Sequence, residues 1–169
     1  MKSLLCGLVF LVCFVTEQSI AWERQQMVMA KDYAAQEIAE HYRLPYGDVR
    51  EIVSEVYEAS REYDVPADVI LAVIATESSY NKDAISSVGA LGLMQVRPEY
   101  WGDQFDLYEN NIRAGAYILA KYRDRCGGYK CMLHSYNVGI TGYMRGSRNQ
   151  DYLDKVNAFR HQFNYLTVR

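Results

Sequence analysis

One carboxylate stands at the end of an unbroken apolar run. Residues 69–75 read Val-Ile-Leu-Ala-Val-Ile-Ala, Thr76 follows, and Glu77 comes next. On a helix, the positions 3, 4 and 7 before Glu77 are Ile74, Val73 and Ile70, so the carboxylate shares a face with three large apolar side chains. It also falls near the helix C-terminus, whose partial negative charge disfavours an anion. Both effects favour the neutral acid and raise its pKa, which suits a general acid working near neutral pH. The bland alternative is a solvated Glu at a fraying helix end. A second chemical pair is Cys126 and Cys131, with Gly127 and Gly128 letting the chain turn between them. In an oxidising compartment such an even pair is expected to bridge. The competing metal reading adds His134, three residues after Cys131, but finds no fourth ligand at metal-binding spacing.

These residues need elements to hold them, and the pattern is helical almost throughout. A short helix is expected over 29–41, broken by Pro45 and Gly47. Asp48 is read as the cap of a second helix, whose Val49, Ile52, Val53, Val56 and Tyr63 follow helical spacing. Pro66 suits the first turn of a third, with Asp68 near its positive end. That third helix carries the apolar run, so it is read as central and buried all round. Residues 78–102 are rich in Ser, Asn and Gly and form a long irregular loop, with a short helical turn expected at 93–96. Further helices are expected over 111–125, with Ile112, Ala116, Leu119 and Ala120 inward, over 132–137 and over 152–165. Gly139 and Gly142 are read as breaks. The fold class is all-α, a compact helical domain with the loop lying over its centre.

The 169 residues are half apolar and 23% charged, with net charge −3. That excludes a disordered chain, and it argues against a nucleic-acid partner, since no excess of Lys and Arg exists to neutralise phosphates. No run of about 20 apolar residues lies beyond the first 25 positions. Lys2, an apolar stretch over 4–15 and the small residues Ser19 and Ala21 read as a signal peptide, 1–21, cleaved after Ala21, with an uncleaved membrane anchor as the alternative. Cys6 and Cys13 leave with it. An N-terminal helical extension, 22–47, precedes the main domain, 48–169. The expected protein is exported, periplasmic or otherwise at the cell envelope, and monomeric.

Three ordered blocks then carry a resemblance. Glu77-Ser78 is followed by Ser86, nine positions after the Glu, and by Gly89-Ala90-Leu91-Gly92-Leu93-Met94-Gln95. Asn111-Ile112 stands with Gly115 and Leu119, and Ser135-Tyr136-Asn137-Val138-Gly139 comes last. Together they closely resemble the catalytic core of the lytic transglycosylases with a goose-lysozyme-like domain. Ser135 replaces the family's usual Ala. The resemblance runs from about residue 48 to 165.

It implies a lysozyme-like fold with the irregular loop over an active-site cleft, and peptidoglycan glycan strands as substrate. It implies no cofactor and no metal. The reaction would cut the β-1,4 bond between N-acetylmuramic acid and N-acetylglucosamine, leaving 1,6-anhydro ends, with Glu77 as the single acid and base. Most glycosidases use a second carboxylate. Asp83, Glu99, Asp103 and Asp106 are the local candidates, and each reads more naturally as a solvated loop charge. By resemblance, Ser86, Met94, Gln95, Tyr136 and Asn137 bind substrate: Ser86 at the sugar near the cut, Met94 and Gln95 beside Glu77, Tyr136 by orienting the Glu77 carboxyl, and Asn137 at an acetamido group. Each also has a structural reading, as loop cap, core filler, packed aromatic or helix cap. Tyr80 and Tyr100 could stack on sugar faces. Two other functions stay open: a muramidase on the same fold, and a non-catalytic peptidoglycan-binding component of an envelope-spanning machine.

Overall fold

The computed structural model describes the backbone of residues 2–163 and the side chains of residues 17–162. Among the described residues it has eight helices and no strand: α1 (Lys2–Tyr42), α2 (Tyr46–Tyr63), α3 (Ala67–Ser78), α4 (Pro98–Trp101), α5 (Asn111–Cys126), α6 (Tyr129–Val138), α7 (Ile140–Met144) and α8 (Gln150–Phe163). The expected all-α class holds. The side chains at 4–15, with Cys6 and Cys13, lie outside the described residues, as does Tyr165. The expected boundary after Ala21 and the expected helix over 29–41 both fall inside α1.

α3 is the axis of the molecule. Every residue from Ala67 to Ala75 is buried, so the apolar run is indeed covered on all sides. α2, α5 and α8 supply that cover. The end of α1 joins the same core through Ala34, Ala35 and Ile38, packed on α2. α8 is tied to the start of α3 by Arg160, whose Nε donates to Asp68 Oδ2 at 2.6 Å. Cys126, at the end of α5, is bridged to Cys131 in α6 across Cα atoms 6.0 Å apart, as the spacing suggested.

Several local expectations are corrected. Asp48 lies in the first turn of α2 and does not cap it; Pro45 precedes the helix, and Gly47 sits inside it. A prolyl φ near −60° leads directly into a helix, and the first turn tolerates a glycine. Gly142 lies inside α7. The segment 93–96 is no helical turn. Leu91 and Val96 exchange two backbone hydrogen bonds, 2.9 and 3.0 Å long, and close a tight loop instead.

The irregular loop is tied to α5 by the side chain of Asn111. Asn111, the first residue of α5, accepts the Met94 N–H at Oδ1 (2.8 Å) and donates from Nδ2 to the Leu91 carbonyl (2.9 Å). Gly92 has φ +71°, and a Cβ there would meet the Asn111 amide at 2.7 Å. A Cβ on Gly115 of α5 would run into the Met94 side chain. The spacing of Gly92, Met94, Asn111 and Gly115 is thus a packing requirement: loop and helix meet at van der Waals contact, with the Leu91 carbonyl and the Met94 N–H satisfied by one amide.

Candidate active site

Glu77 lies in the last turn of α3. Ser79 and Tyr80 follow with positive φ, 51° and 64°, so the chain turns sharply just past the carboxylate. The turn is anchored by Tyr80, whose buried ring sends its hydroxyl to the Leu71 carbonyl at 3.0 Å. Tyr80 is therefore a structural residue and not a sugar platform.

Beyond the turn opens a cleft of about 660 Å³. Its floor holds Glu77, with Ser86, Gln95 and Arg97 from the loop, Tyr100 and Trp101 from α4, and Tyr136 and Asn137 from the end of α6. Glu77 is the one carboxylate among the described residues that line it. Burial pushes the Glu77 pKa up to about 7, and a hydrogen bond from Tyr152 opposes part of that rise. The Tyr152 hydroxyl donates to Glu77 Oε1 at 2.8 Å from α8, 75 residues away. Burial also holds the phenols of Tyr152 and Tyr136 well above their ordinary pKa, so both remain donors.

The residues singled out by sequence divide as follows. Ser86 and Gln95 line the cleft with Glu77. Ser86 Oγ accepts the Ala90 N–H (2.9 Å), so it caps its loop as well as facing the cleft. Gln95, at φ 48°, donates from Nε2 to the carbonyls of Gly92 (2.9 Å) and Ala84 (3.1 Å), which aims its side chain along the loop. Asn137 lines the far wall. Met94 does not line the cleft. It is fully buried against Gly115, because the close approach of loop to α5 leaves its side chain nowhere else to go. Only its carbonyl serves the site, accepting the Tyr136 hydroxyl at 2.8 Å. The expected orienting bond from Tyr136 to Glu77 is thus replaced by one to Met94, and Tyr152 orients the carboxyl. Glu99 pairs with Arg97, and Asp83 faces a separate cavity behind the loop. Neither these nor Asp103 and Asp106 line the cleft. Tyr100, 63% exposed, stands at the rim with the Arg97 guanidinium over its ring.

Tyr152 and Trp101 were not foreseen. Tyr152 opens the segment that reads as the last amphipathic helix, and nothing local links it to residue 77. Trp101, three residues after Pro98, has no spacing to mark it.

This geometry has counterparts. Residues 55–159 match the family model for the transglycosylase SLT domain. The chain belongs to the SLT transglycosylase domain family. Among curated relatives, the SLT domain is 33% identical over 102 residues to a transglycosylase of Enterobacteria phage PRD1, covering 58% of this chain and 38% of that protein. It is 39% identical over 112 residues to membrane-bound lytic murein transglycosylase C of Actinobacillus succinogenes, covering 62% of this chain and 30% of the relative. With the corresponding protein of Mannheimia succiniciproducens the identity is 42% over 66 residues, 39% of this chain and 18% of that one. The SLT domain here thus matches less than two fifths of the length of each of these relatives.

Proposed function

We propose that this chain is a lytic transglycosylase acting on peptidoglycan at the cell envelope, cutting between N-acetylmuramic acid and N-acetylglucosamine with Glu77 as its single acid and base. The observation that carries this reading is that Glu77, the one carboxylate among the described residues lining the cleft, has its pKa raised to about 7. Such a group is protonated often enough to donate near neutral pH and basic enough to take a proton back. The family and the names of the relatives support it.

The chemistry follows from one carboxyl. Protonated Glu77 donates to the glycosidic oxygen, and the C1–O4 bond breaks. The muramic N-acetyl carbonyl stabilises the oxocarbenium-like C1 that forms. The Glu77 carboxylate then takes the proton of the same sugar's 6-hydroxyl, O6 attacks C1, and a 1,6-anhydro ring closes. No water is consumed, and Glu77 ends protonated as it began. Tyr152 keeps the carboxyl aimed throughout. A hydrolase would need a second carboxylate to activate water, and none of the described residues lining the cleft supplies it. A tethered hydroxyl also outcompetes water, its effective concentration reaching on the order of 10⁵ M in an oriented site. The residues at 1–21 fit export as a leader, which would bring the domain to its substrate.

The test is digestion of purified murein, borohydride reduction and mass spectrometry. Muropeptides about 18 mass units lighter than hydrolytic products, and inert to borohydride, are expected. Reducible, full-mass muramic ends would mean a muramidase, and no release at all a glycan-binding component.

A further inference from the structure

Asn149, outside every motif described above, precedes α8 and joins three parts of the site. Its Oδ1 accepts the Tyr152 N–H at 3.0 Å, and its own N–H donates to His134 Nδ1 at 3.3 Å. Its Nδ2 donates to Asn137 Oδ1 at 2.8 Å. The first of these bonds fixes the others. A backbone N–H can only donate, so the oxygen end of Asn149 must face Tyr152 and the nitrogen end must face Asn137. The nitrogen end can only donate in turn, so Asn137 must meet it with its oxygen. The end of the Asn137 amide left for the cleft is therefore the donor end, and among the described residues no protein group accepts from it.

We infer that Asn149 is a positioning residue that locks Asn137 as a hydrogen-bond donor, and thereby selects glycan strands whose glucosamine residues keep their N-acetyl carbonyl. The inference rests on the function proposed above. In that reaction the muramic N-acetyl group at the cut is engaged at C1, which leaves the acetamido groups of the glucosamines for Asn137. An N-acetyl carbonyl accepts from an amide N–H. A de-N-acetylated glucosamine has lost that carbonyl, and at mildly acidic pH, where the comparison is to be made, its amine is an ammonium with donors only, so the hydrogen bond from Asn137 is lost.

The experiment compares wild type with Asn149→Asp on two substrates: purified murein, and the same murein de-N-acetylated at glucosamine only. The new carboxylate still accepts the Tyr152 N–H and suits a helix N-terminus, so α8 should stay capped. It cannot donate to Asn137, which must turn its nitrogen toward position 149 and its oxygen toward the cleft. Wild type should prefer acetylated murein by about 2- to 10-fold in kcat/KM, the scale of one net hydrogen bond at a solvent-accessible site. Asn149→Asp should shrink or invert that preference, raising KM for acetylated murein more than it lowers kcat. In an Asn137→Ala background the same change should leave the preference where it is. Asn149→Ser keeps a capping oxygen but cannot reach Asn137; it should weaken the preference without inverting it, and it decides the matter if the Asp variant is poorly folded. Equal cutting of both substrates by wild type, with anhydro products released, would overturn this inference alone. An unchanged preference in folded Asn149→Asp or Asn149→Ser, or an equal effect in the Asn137→Ala background, would overturn it too. No product from wild type on either substrate would remove the proposed function, and this inference with it.

Discussion

At the scale of single residues, the site turns on a competition at Glu77. Burial drives the carboxyl toward its neutral form, and the Tyr152 hydroxyl, a donor to the carboxylate, pulls the other way; burial wins and sets the pKa at about 7. Glu77→Gln keeps the shape but cannot deliver a proton. Murein release should fall by roughly 10² to 10⁴-fold with the far-ultraviolet circular dichroism unchanged. The same substitution tests the linkage. A carboxyl whose folded pKa is raised destabilises the fold as pH climbs from its unfolded value, near 4.5, through 7, and the penalty is constant above that. Urea titrations should therefore show Glu77→Gln more stable than wild type at pH 8, by up to about 3 kcal/mol, with the gap closing near pH 4. Tyr152→Phe removes the opposing donor, so the Glu77 pKa should rise further. Since the protonated acid is the active form, the fall in rate at alkaline pH should move to higher pH, while the maximal rate drops about tenfold from loss of aim. A pH profile of initial rates reads both effects.

At the scale of elements, the loop between α3 and α4 is a surface built on α5. Asn111 satisfies the loop backbone at Leu91 and Met94, and Gly92 leaves room for it. Gly92→Ala places a methyl where the Asn111 amide sits and also forces a residue with a Cβ to φ +71°. It should cost roughly 2 kcal/mol by chemical denaturation, combining a strained φ with a displaced buried hydrogen bond. Murein release should fall with it, because Ser86 and Gln95 ride on that loop. The amphipathic helices α2, α5 and α8 were legible from periodicity, since burial of one apolar face leaves a 3.6-residue signature, whereas the short α4 and α7 were not: residues 98–102 read as loop and Gly142 as a break. The loop was legible as irregular from its Ser, Asn and Gly. Its internal geometry was not. Periodicity cannot distinguish a helical turn at 93–96 from the bridged turn that forms, because the choice depends on Asn111, well along the chain.

For the whole molecule, the active geometry depends on how α8 docks on α3. Arg160 and Asp68 form the fastening. The Asp68 side chain is only 3% exposed, and its Oδ1 has no partner, so removal of Arg160 strands a buried carboxylate. Arg160→Ala should lower stability by roughly 2 kcal/mol, less than for a fully buried pair because Arg160 itself is 37% exposed. Asp68→Asn in the same background should restore part of the loss. The rate should drop further than the folded fraction does, since a loosened α8 carries Tyr152 away from Glu77. Denaturation midpoints and murein release, measured on the same samples, separate the two.

The order of residues alone determined the apolar run that makes α3 central, the acid at its end, the Cys126–Cys131 pair and the resemblance to the family. All of these rest on short-range patterns: helical spacing, a small loop, contiguous motifs. What only the tertiary structure decided is which side chains meet across the fold. Met94, adjacent to Gln95 in the motif, faces the core because Gly115 opens a slot for it on α5. Tyr136 reaches the Met94 carbonyl, and the acid's partner is Tyr152, brought from the far end of the chain by the packing of α8 on α3. Direction around a loop and contact between distant helices are set by the volume and polar satisfaction of the whole core, and no local pattern encodes them.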